Sequence, residues 1–392
     1  MVGELYRFIT DFGVIEGYII KEEPNYYLIK LKNGYNIGIK KSQIKEMENL
    51  NEKIKVGQFP KRKPKGIGNL GFIYTGGTIG SKVDYLTGGV SAIMDIEELL
   101  AIADLPYDIK IIDSPFVKFS EDLNPKDWVE IVKSIERTYK KGAEGIIVAH
   151  GTDTMHFSSA YAYYALENPI PIAFTGAQRS SDRASTDAVI NLFASSIYAN
   201  SNIGEVAIVM HETINDDTAI AIRGISARKM HSTRRDAFKS INEEPLARIY
   251  YPSGKLEIIN KKYRKRSDKE MVAKPYLDTK GALIWVYPGF DPSILEYYRN
   301  YRGIIIAGTG MGHTSKELIP MLKELSKDLF IGITTQCIYG ITHPYVYSRG
   351  RELSKFATYL QGTPEKNYVK LLYVLGKESD LDGIKKEMKR LP

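Results

Sequence analysis

Two short segments of this 392-residue chain combine glycine with threonine or aspartate, residue types that can support hydrolytic chemistry. The first segment spans residues 74–80 and contains paired glycines followed by Thr78. Paired glycines allow a tight turn and a close approach of the backbone to a ligand. The segment lacks the lysine and spacing of a phosphate-binding P-loop and does not match Gly-x-Gly-x-x-Gly, so it does not favour a nucleotide site. Gly77 and Thr78 are therefore candidates for binding a substrate and for chemistry.

The second segment, residues 150–155, places Thr152 and Asp153 directly after Gly151. Taken alone, Thr152 or Asp153 is more simply explained as a helix N-cap, because both residue types accept hydrogen bonds from the first N–H groups of a helix. A functional interpretation gains weight because both segments follow apolar strands, and doubly wound folds bind ligands where their strands end. A threonine hydroxyl needs a base to act as a nucleophile, and Lys229 could complete such a relay.

Short apolar runs alternate with helical segments after residue 69, which predicts a parallel, doubly wound α/β sheet. Helix starts are predicted at Asp95, with Glu98 three residues later, and at Asn124, which precedes Pro125. The predicted strands cover residues 70–74, 145–149, 170–174 and 206–210, and then residues 282–286, 303–307 and 329–334.

The N-terminal residues follow a different pattern, with strands predicted near 17–20, 26–31 and 35–39 and a hairpin turn at Asn33-Gly34. A stretch with two prolines and several basic residues follows and predicts a linker. The fold class is therefore a two-domain α/β architecture that carries a small β-barrel-like module. The predicted division is residues 1–57 for the β module, 58–68 for the basic linker, 69–260 for the catalytic α/β domain, 261–279 for a second linker and 280–392 for a smaller α/β domain.

Composition excludes several classes of protein. With 43% hydrophobic and 26% charged residues the chain is typical of globular proteins rather than of disordered or fibrous ones. No apolar run approaches the roughly 18 residues that span a bilayer, the N-terminus lacks a signal peptide pattern, and the single cysteine, Cys337, cannot form an internal disulfide. We therefore expect a cytoplasmic protein without a membrane partner. The six histidines show no ligand spacing, so no metal site is predicted.

The net charge of +7 is unevenly distributed. Residues 1–68 carry 13 Lys and Arg against 8 Asp and Glu, so most of the excess lies at the N-terminus. The densest part, around residues 61–65, could attract a polyanion such as RNA. A charge run of this kind is more often a solvated linker, and both interpretations stay open.

The two candidate segments together resemble the signatures of the type I and II L-asparaginase family. Thr-Gly-Gly-Thr-Ile at residues 75–79 and His-Gly-Thr-Asp-Thr-Met at residues 150–155 carry the resemblance, which extends from about residue 69 to the C-terminus. It implies that a threonine hydroxyl attacks a side-chain amide, that ammonia leaves, and that water hydrolyses the acyl-threonine. The motifs leave open which threonine attacks first.

The resemblance also implies roles for individual residues. The matched catalytic residues are Thr78 as the nucleophile, Tyr85 as the residue that assists it, and the set Thr152, Asp153 and Lys229. Ser120 matches the residue that holds the substrate α-carboxylate, and the glycines Gly77 and Gly151 would line the substrate. Glu121 falls where many members carry an amide side chain that binds the α-ammonium group, a departure that bears on substrate preference.

The β module and basic linker further resemble the asparaginase-like subunit of archaeal-type tRNA-dependent amidotransferases. This implies a glutaminase or asparaginase that supplies ammonia for converting Glu-tRNA(Gln) to Gln-tRNA(Gln) on a partner subunit. It implies no cofactor in this chain, ATP and Mg on the partner, tRNA contacted through the complex, and a homodimer within a heterotetramer. Two alternatives stay open: a free-standing L-asparaginase, and a catalytically silent scaffold that docks tRNA or the partner.

Overall fold

The computed structural model describes residues 2–31, 36–53, 65–80, 82–83, 90–91, 96–103, 105–181 and 185–390. The N-terminal part is an antiparallel sheet with the strand order β4-β3-β2-β1-β5. Its alternating inward residues, among them Phe8, Ile19 and Ile29, are fully buried. The predicted turn at Asn33-Gly34 lies outside the described residues. The strands are β1 (Glu4–Thr10), β2 (Gly13–Glu22), β3 (Tyr26–Leu31), β4 (Asn36–Lys40) and β5 (Ile44–Lys53).

The second unit is built on a sheet with the order β18-β17-β14-β13-β12-β10-β6-β9. The five strands from β13 to β9 pair in parallel. Four of them, β6, β10, β12 and β13, were predicted as parallel strands, and β9 was not. Strands β14, β17 and β18 extend the sheet with antiparallel pairs that the sequence did not predict. The elements are β6 (Leu70–Tyr74), β7 (Lys82–Val83), β8 (Val90–Ser91), α1 (Ile96–Ala103), β9 (Ile109–Asp113), α2 (Pro125–Lys140), β10 (Gly145–Ala149), α3 (Met155–Ala165), β11 (Leu166–Glu167), β12 (Ile172–Thr175), α4 (Ala188–Ala199), β13 (Val206–His211), β14 (Thr218–Arg223), β15 (Ala227–Lys229), β16 (Phe238–Ser240), β17 (Ala247–Tyr250), β18 (Leu256–Ile258) and β19 (Val272–Ala273).

Helices cover both faces of this sheet, which explains why its strands are apolar throughout. Ile146 and Val148 of β10 belong to a core cluster with residues of α2 and α3, whereas Ile147 and Ala149 belong to a cluster with residues of α1 and α4. The α/β fold predicted from the sequence is therefore confirmed.

The predicted start of α2 is also confirmed. The Asn124 side chain accepts a hydrogen bond from the Lys126 N–H, while Asp127 reaches back to the Asn124 N–H, with Pro125 in the first turn. This reciprocal arrangement satisfies two N–H groups that have no partner within the helix. Helix α1 begins at Ile96, and the predicted cap, Asp95, lies outside the described residues.

The C-terminal unit contains a parallel sheet of order β20-β21-β22-β23. Helix α7 of this unit packs against α3, and its Val369 and Leu372 share a core cluster with Tyr161 of α3. Both α/β units are therefore joined by a common apolar contact. The elements are β20 (Gly281–Trp285), a 3₁₀ helix (Pro292–Asn300), β21 (Gly303–Gly308), α5 (Leu318–Leu325), β22 (Phe330–Thr335), α6 (Ser348–Leu353), β23 (Thr358–Tyr359), α7 (Pro364–Lys377) and α8 (Leu381–Lys389).

The two predicted linkers differ in what the structure describes. Most of residues 58–68 lies outside the described residues, although the N–H groups of Lys65 and Gly66 both donate to the Asp108 carboxylate at 2.7 Å. The segment 261–279 runs along the α/β unit, where β19 pairs with β11. The division into five segments stays a prediction. In the described part of the chain, each helix is too short or too polar to cross a bilayer.

Candidate active site

The first glycine segment is anchored at the carboxyl end of β6. The N–H and the hydroxyl of Thr75 both donate to the Ala149 carbonyl on the neighbouring strand, each at 3.0 Å. Gly76 and Gly77 then adopt φ values of +106° and +84°, a region that favours glycine. Thr78 follows, half-buried, at the start of a short 3₁₀ helix. The structure therefore places Thr78 at the predicted edge of the sheet.

The backbones of the two glycine segments touch each other. A Cβ atom on Gly77 would lie 2.4 Å from the Cα atom of Gly151, and a Cβ atom on Gly151 would lie 2.7 Å from the Ser120 Cβ atom. The Thr154 hydroxyl donates to the Ser120 carbonyl at 2.7 Å and holds this third segment in place. Three of the predicted substrate-binding residues are thus brought together, because glycine at two of them permits close backbone contact.

The residues Thr152, Asp153 and Lys229 form one hydrogen-bonded group. The Lys229 ammonium donates to the Thr152 hydroxyl oxygen at 2.8 Å and to an Asp153 carboxylate oxygen at 2.7 Å. The lysine side chain is 9% exposed, whereas the aspartate side chain is 63% exposed. Helix α3 begins at Met155 with Thr154 as its N-cap, so the N-cap interpretation of Thr152 and Asp153 is wrong.

A small hairpin and the C-terminal unit position Lys229. Strand β15 pairs with β16, and this pairing sets Lys229 opposite the fully buried Phe238. On the same strand, the Arg228 guanidinium donates twice to one carboxylate oxygen of Glu365 on α7, at 3.0 and 2.8 Å. Strand β15, which carries Lys229, is therefore held by contacts with residues of both α/β units.

Gln178 belongs to this group although no motif in the sequence marks it. Its side-chain oxygen accepts a hydrogen bond from the Lys229 ammonium at 3.2 Å and lies 3.5 Å from the Thr152 hydroxyl oxygen. Its backbone N–H donates to both oxygens of the fully buried Asp187 carboxylate at 3.0 Å. The place of Gln178 in the sequence could have indicated it as a site residue. It follows strand β12, whose carboxyl end lies at the same edge of the sheet as the carboxyl ends of β6 and β10.

Other predicted residues are less closely tied to the group. Glu121 is exposed in the 3₁₀ helix that begins at Ser120, and Tyr85 lies outside the described residues. His150 is buried between the Gly151 carbonyl and the Ser158 hydroxyl, at 2.6 and 2.9 Å, and burial lowers its pKa to about 4. It is therefore neutral at physiological pH and fills a structural role. Within the described residues, no group of three or more His, Cys, Asp or Glu side chains could hold a metal ion.

Comparison with known proteins identifies the family of the chain. The family described as "Asparaginase, N-terminal" matches residues 69–264, and "Glutaminase/Asparaginase C-terminal domain" matches residues 282–388. The chain is 40% identical to the D subunit of glutamyl-tRNA(Gln) amidotransferase from Pyrococcus horikoshii, over 99% of this chain and 93% of that protein. It is 37% identical to the corresponding protein of Archaeoglobus fulgidus over 96% of this chain and 91% of that protein.

Solved structures share the fold of the two α/β units. The thermostable L-asparaginase from Thermococcus kodakarensis superposes with a TM-score of 0.73 at 26% identity, covering 82% of this chain and 97% of that one. The L-asparaginase I from Vibrio cholerae superposes with a TM-score of 0.69 at 24% identity, covering 83% and 98%. The relatives that match nearly the whole chain are thus amidotransferase subunits, whereas the asparaginases match about four fifths of it.

Proposed function

Because the chain belongs to the asparaginase family and, within it, to the glutamyl-tRNA(Gln) amidotransferase D subunits, we propose that it hydrolyses a side-chain amide to supply ammonia. The amide would be that of glutamine or asparagine. The ammonia would serve the conversion of Glu-tRNA(Gln) to Gln-tRNA(Gln) on a partner subunit of the GatE type, which would bind ATP, Mg and the tRNA. Two copies of each subunit would form a heterotetramer.

In the proposed reaction, the Thr78 hydroxyl oxygen attacks the carbonyl carbon of the substrate amide. The carbon–nitrogen bond breaks, ammonia leaves with the hydroxyl proton, and an acyl ester forms on Thr78. Water then hydrolyses the ester, which yields the carboxylate product and restores the hydroxyl. Lys229 and Asp153, with Thr152 between them and the substrate, would move the protons. The observation that carries this proposal is the contact of 2.8 Å between the Lys229 ammonium and the Thr152 hydroxyl.

Three substitutions of nearly constant volume test the mechanism. Thr78→Val, Thr152→Val and Lys229→Met should each lower kcat/KM for glutamine by about 10²-fold to 10⁴-fold, because each removes one reactive group. Thr342→Val is the control for Thr152→Val, since Thr342 is also a buried threonine, lies in the C-terminal unit and donates through its hydroxyl to the Leu360 carbonyl. Circular dichroism would verify folding. A variant that keeps parental activity would remove its residue from the mechanism.

The proposed coupling to a partner is tested by three rates. Ammonia release from glutamine and from asparagine is measured for the chain alone, with the co-purified partner, and with the partner and Glu-tRNA(Gln). We expect the glutaminase rate to rise in the complete complex, because a partner that closes over the active site can bring its catalytic groups into place. A maximal rate for the isolated chain would support a free-standing L-asparaginase, and no release under any condition would support a silent scaffold.

A further inference from the structure

The ammonium group of Lys229 is fully occupied in this structure. It has three N–H donors, and it meets three acceptors: Asp153 at 2.7 Å, Thr152 at 2.8 Å and the Gln178 side-chain oxygen at 3.2 Å. These three acceptors take up all three N–H groups of the ammonium, so none of them is directed at a substrate. The contact with Gln178 is the longest of the three and is therefore the one that is most easily released.

The amide nitrogen of Gln178, unlike the side-chain oxygen, makes no hydrogen bond to a described residue. This nitrogen is buried. Buried polar atoms in proteins nearly always have a partner, so an atom of this kind requires an explanation. This nitrogen lies in the same side chain as an oxygen that contacts the lysine and approaches the Thr152 hydroxyl to 3.5 Å. An oxygen of a bound substrate at the reacting end would supply the missing acceptor.

The backbone of Gln178 is held in place, so the side chain is the part that can respond. The fully buried Asp187 carboxylate accepts from the N–H groups of Gln178 and Arg179, at 3.0 and 3.1 Å, and from the Asn191 amide at 3.1 Å. The Ser181 hydroxyl also donates to the Ile79 carbonyl, which ties this loop to the short helix that begins at Thr78.

We propose that Gln178 is a substrate-responsive positioning residue, which holds Lys229 through its side-chain oxygen and donates to the bound substrate through its amide nitrogen. The inference rests on the proposed function of the site. When substrate draws the amide toward itself, Lys229 loses its third acceptor and keeps two. One N–H group of the lysine therefore becomes available to the reacting groups only when a substrate is present. In this way Gln178 would make the participation of Lys229 in proton transfer depend on substrate binding.

The pH dependence of this site has contributions from several further groups. His156 is buried, and burial lowers its pKa to about 4, so that it is neutral over the range in which the enzyme would be assayed. Within the described residues, the charged and titratable groups that line the same cavity as Lys229 are Asp153 after β10, His156 on α3, Arg228 on the same strand, His231 just beyond that strand, and Glu365 on α7. None of them is altered in the variants below, so they form a common background.

Two substitutions at Gln178 separate its two contacts. Gln178→Met keeps the length of the side chain but removes both the acceptor and the donor, whereas Gln178→Glu keeps an acceptor, adds a negative charge and removes the donor. The acid limb of the pH profile of kcat/KM should move to lower pH in Gln178→Met and to higher pH in Gln178→Glu, each by about one unit. KM for glutamine should rise about tenfold in both, because both lack the donor.

The opposite directions of these shifts distinguish positioning from a merely structural role. A structural role would lower kcat in both variants and leave the acid limb where it is. Gln361→Met is the matched control, because Gln361 hydrogen bonds the backbone of Thr342 in the C-terminal unit and its loss should alter neither KM nor the profile. Thermal melting checks folding, and Gln178→Glu, which has nearly the parental shape, decides the question if Gln178→Met does not fold.

Failure of this inference is distinguishable from failure of the proposed function. An unmoved acid limb in the folded Gln178 variants, together with an inactive Lys229→Met variant, would overturn the role of Gln178 and leave the proposed function intact. Parental activity in Lys229→Met would instead remove the lysine from the mechanism, and the inference about Gln178 would fail with it.

Discussion

Replacing Gly77 by alanine tests whether the contact between the two glycine segments builds the site. Gly77 has φ +84°, and an added Cβ atom would lie 2.4 Å from the Gly151 Cα atom. Ordinary contacts of this kind begin near 3.4 Å, so the segments would have to separate by about 1 Å. A misplacement of this size costs about 10²-fold in rate when it affects reacting groups. We therefore expect kcat/KM for glutamine to fall by about 10²-fold in Gly77→Ala.

Part of any effect of Gly77→Ala comes from the backbone conformation alone. An alanine in the left-handed region costs roughly 1–2 kcal/mol, which lowers the melting temperature by a few degrees. Gly289→Ala is a close control for this cost, because Gly289 has the same φ of +84° but no atom within 4 Å of its added Cβ atom. It should be destabilised and remain active.

The assay compares glutamine hydrolysis and thermal unfolding of the parent and the two alanine variants at one pH. The difference in activity between Gly77→Ala and Gly289→Ala isolates the effect of the steric contact. If Gly77→Ala were as active as Gly289→Ala, the close packing of the two segments would not be needed for the reaction. The assignment of Thr78 and Thr152 to one site would then lose its main geometric support.

Three other perturbations test different parts of the structure. Glu121→Gln should change the ratio of kcat/KM for glutamine to that for asparagine, because it removes an exposed charge beside Ser120; unchanged constants for both substrates would show that Glu121 does not face the ligand. The pKa of His150 is about 4 in the folded chain against 6.5 ordinarily, so the unfolded state takes up a proton first as the pH falls. The free energy of unfolding should therefore decrease between pH 6.5 and 4, by roughly 3 kcal/mol from this residue, and urea titrations of His150→Gln should show a shallower decrease. Deletion of residues 1–64 should leave a protein that is folded by circular dichroism, because it retains the N–H groups of Lys65 and Gly66 that donate to the Asp108 carboxylate. Precipitation of the truncated chain would contradict this expectation.

The strands that carry the site could be predicted closely because their signal is local. Strands β6 and β10 begin and end at the predicted residues, since each is an apolar run bounded by glycine or a polar residue. The antiparallel extension of the sheet was missed because strand order depends on contacts between distant segments, which a single sequence does not contain. The pattern of apolar runs therefore finds four of the eight strands and leaves the other four, and the order of all eight, undetermined.

The same distinction explains the outcome for the site residues. Threonine and aspartate at 152 and 153 are good N-caps by local criteria, and a long-range contact with Lys229 gives them another partner. Gln178 has no local signature, because glutamine in a loop is compatible with solvent exposure. It becomes recognisable as part of the site only once β12 is known to lie beside β10 in the sheet.

The order of the strands accounts for how the site is assembled. Strands β12, β10 and β6 are neighbours in the sheet, and the segments that follow their carboxyl ends carry Gln178, Thr152 and Thr78. Because these strands are parallel, their carboxyl ends lie at one edge of the sheet, and this alone brings the three side chains to that edge. Lys229 comes instead from a hairpin outside the sheet, which is held to the C-terminal unit by the ion pair of Arg228 with Glu365. The position of the proposed base therefore depends on both α/β units, whereas the threonines depend on the sheet of one unit alone.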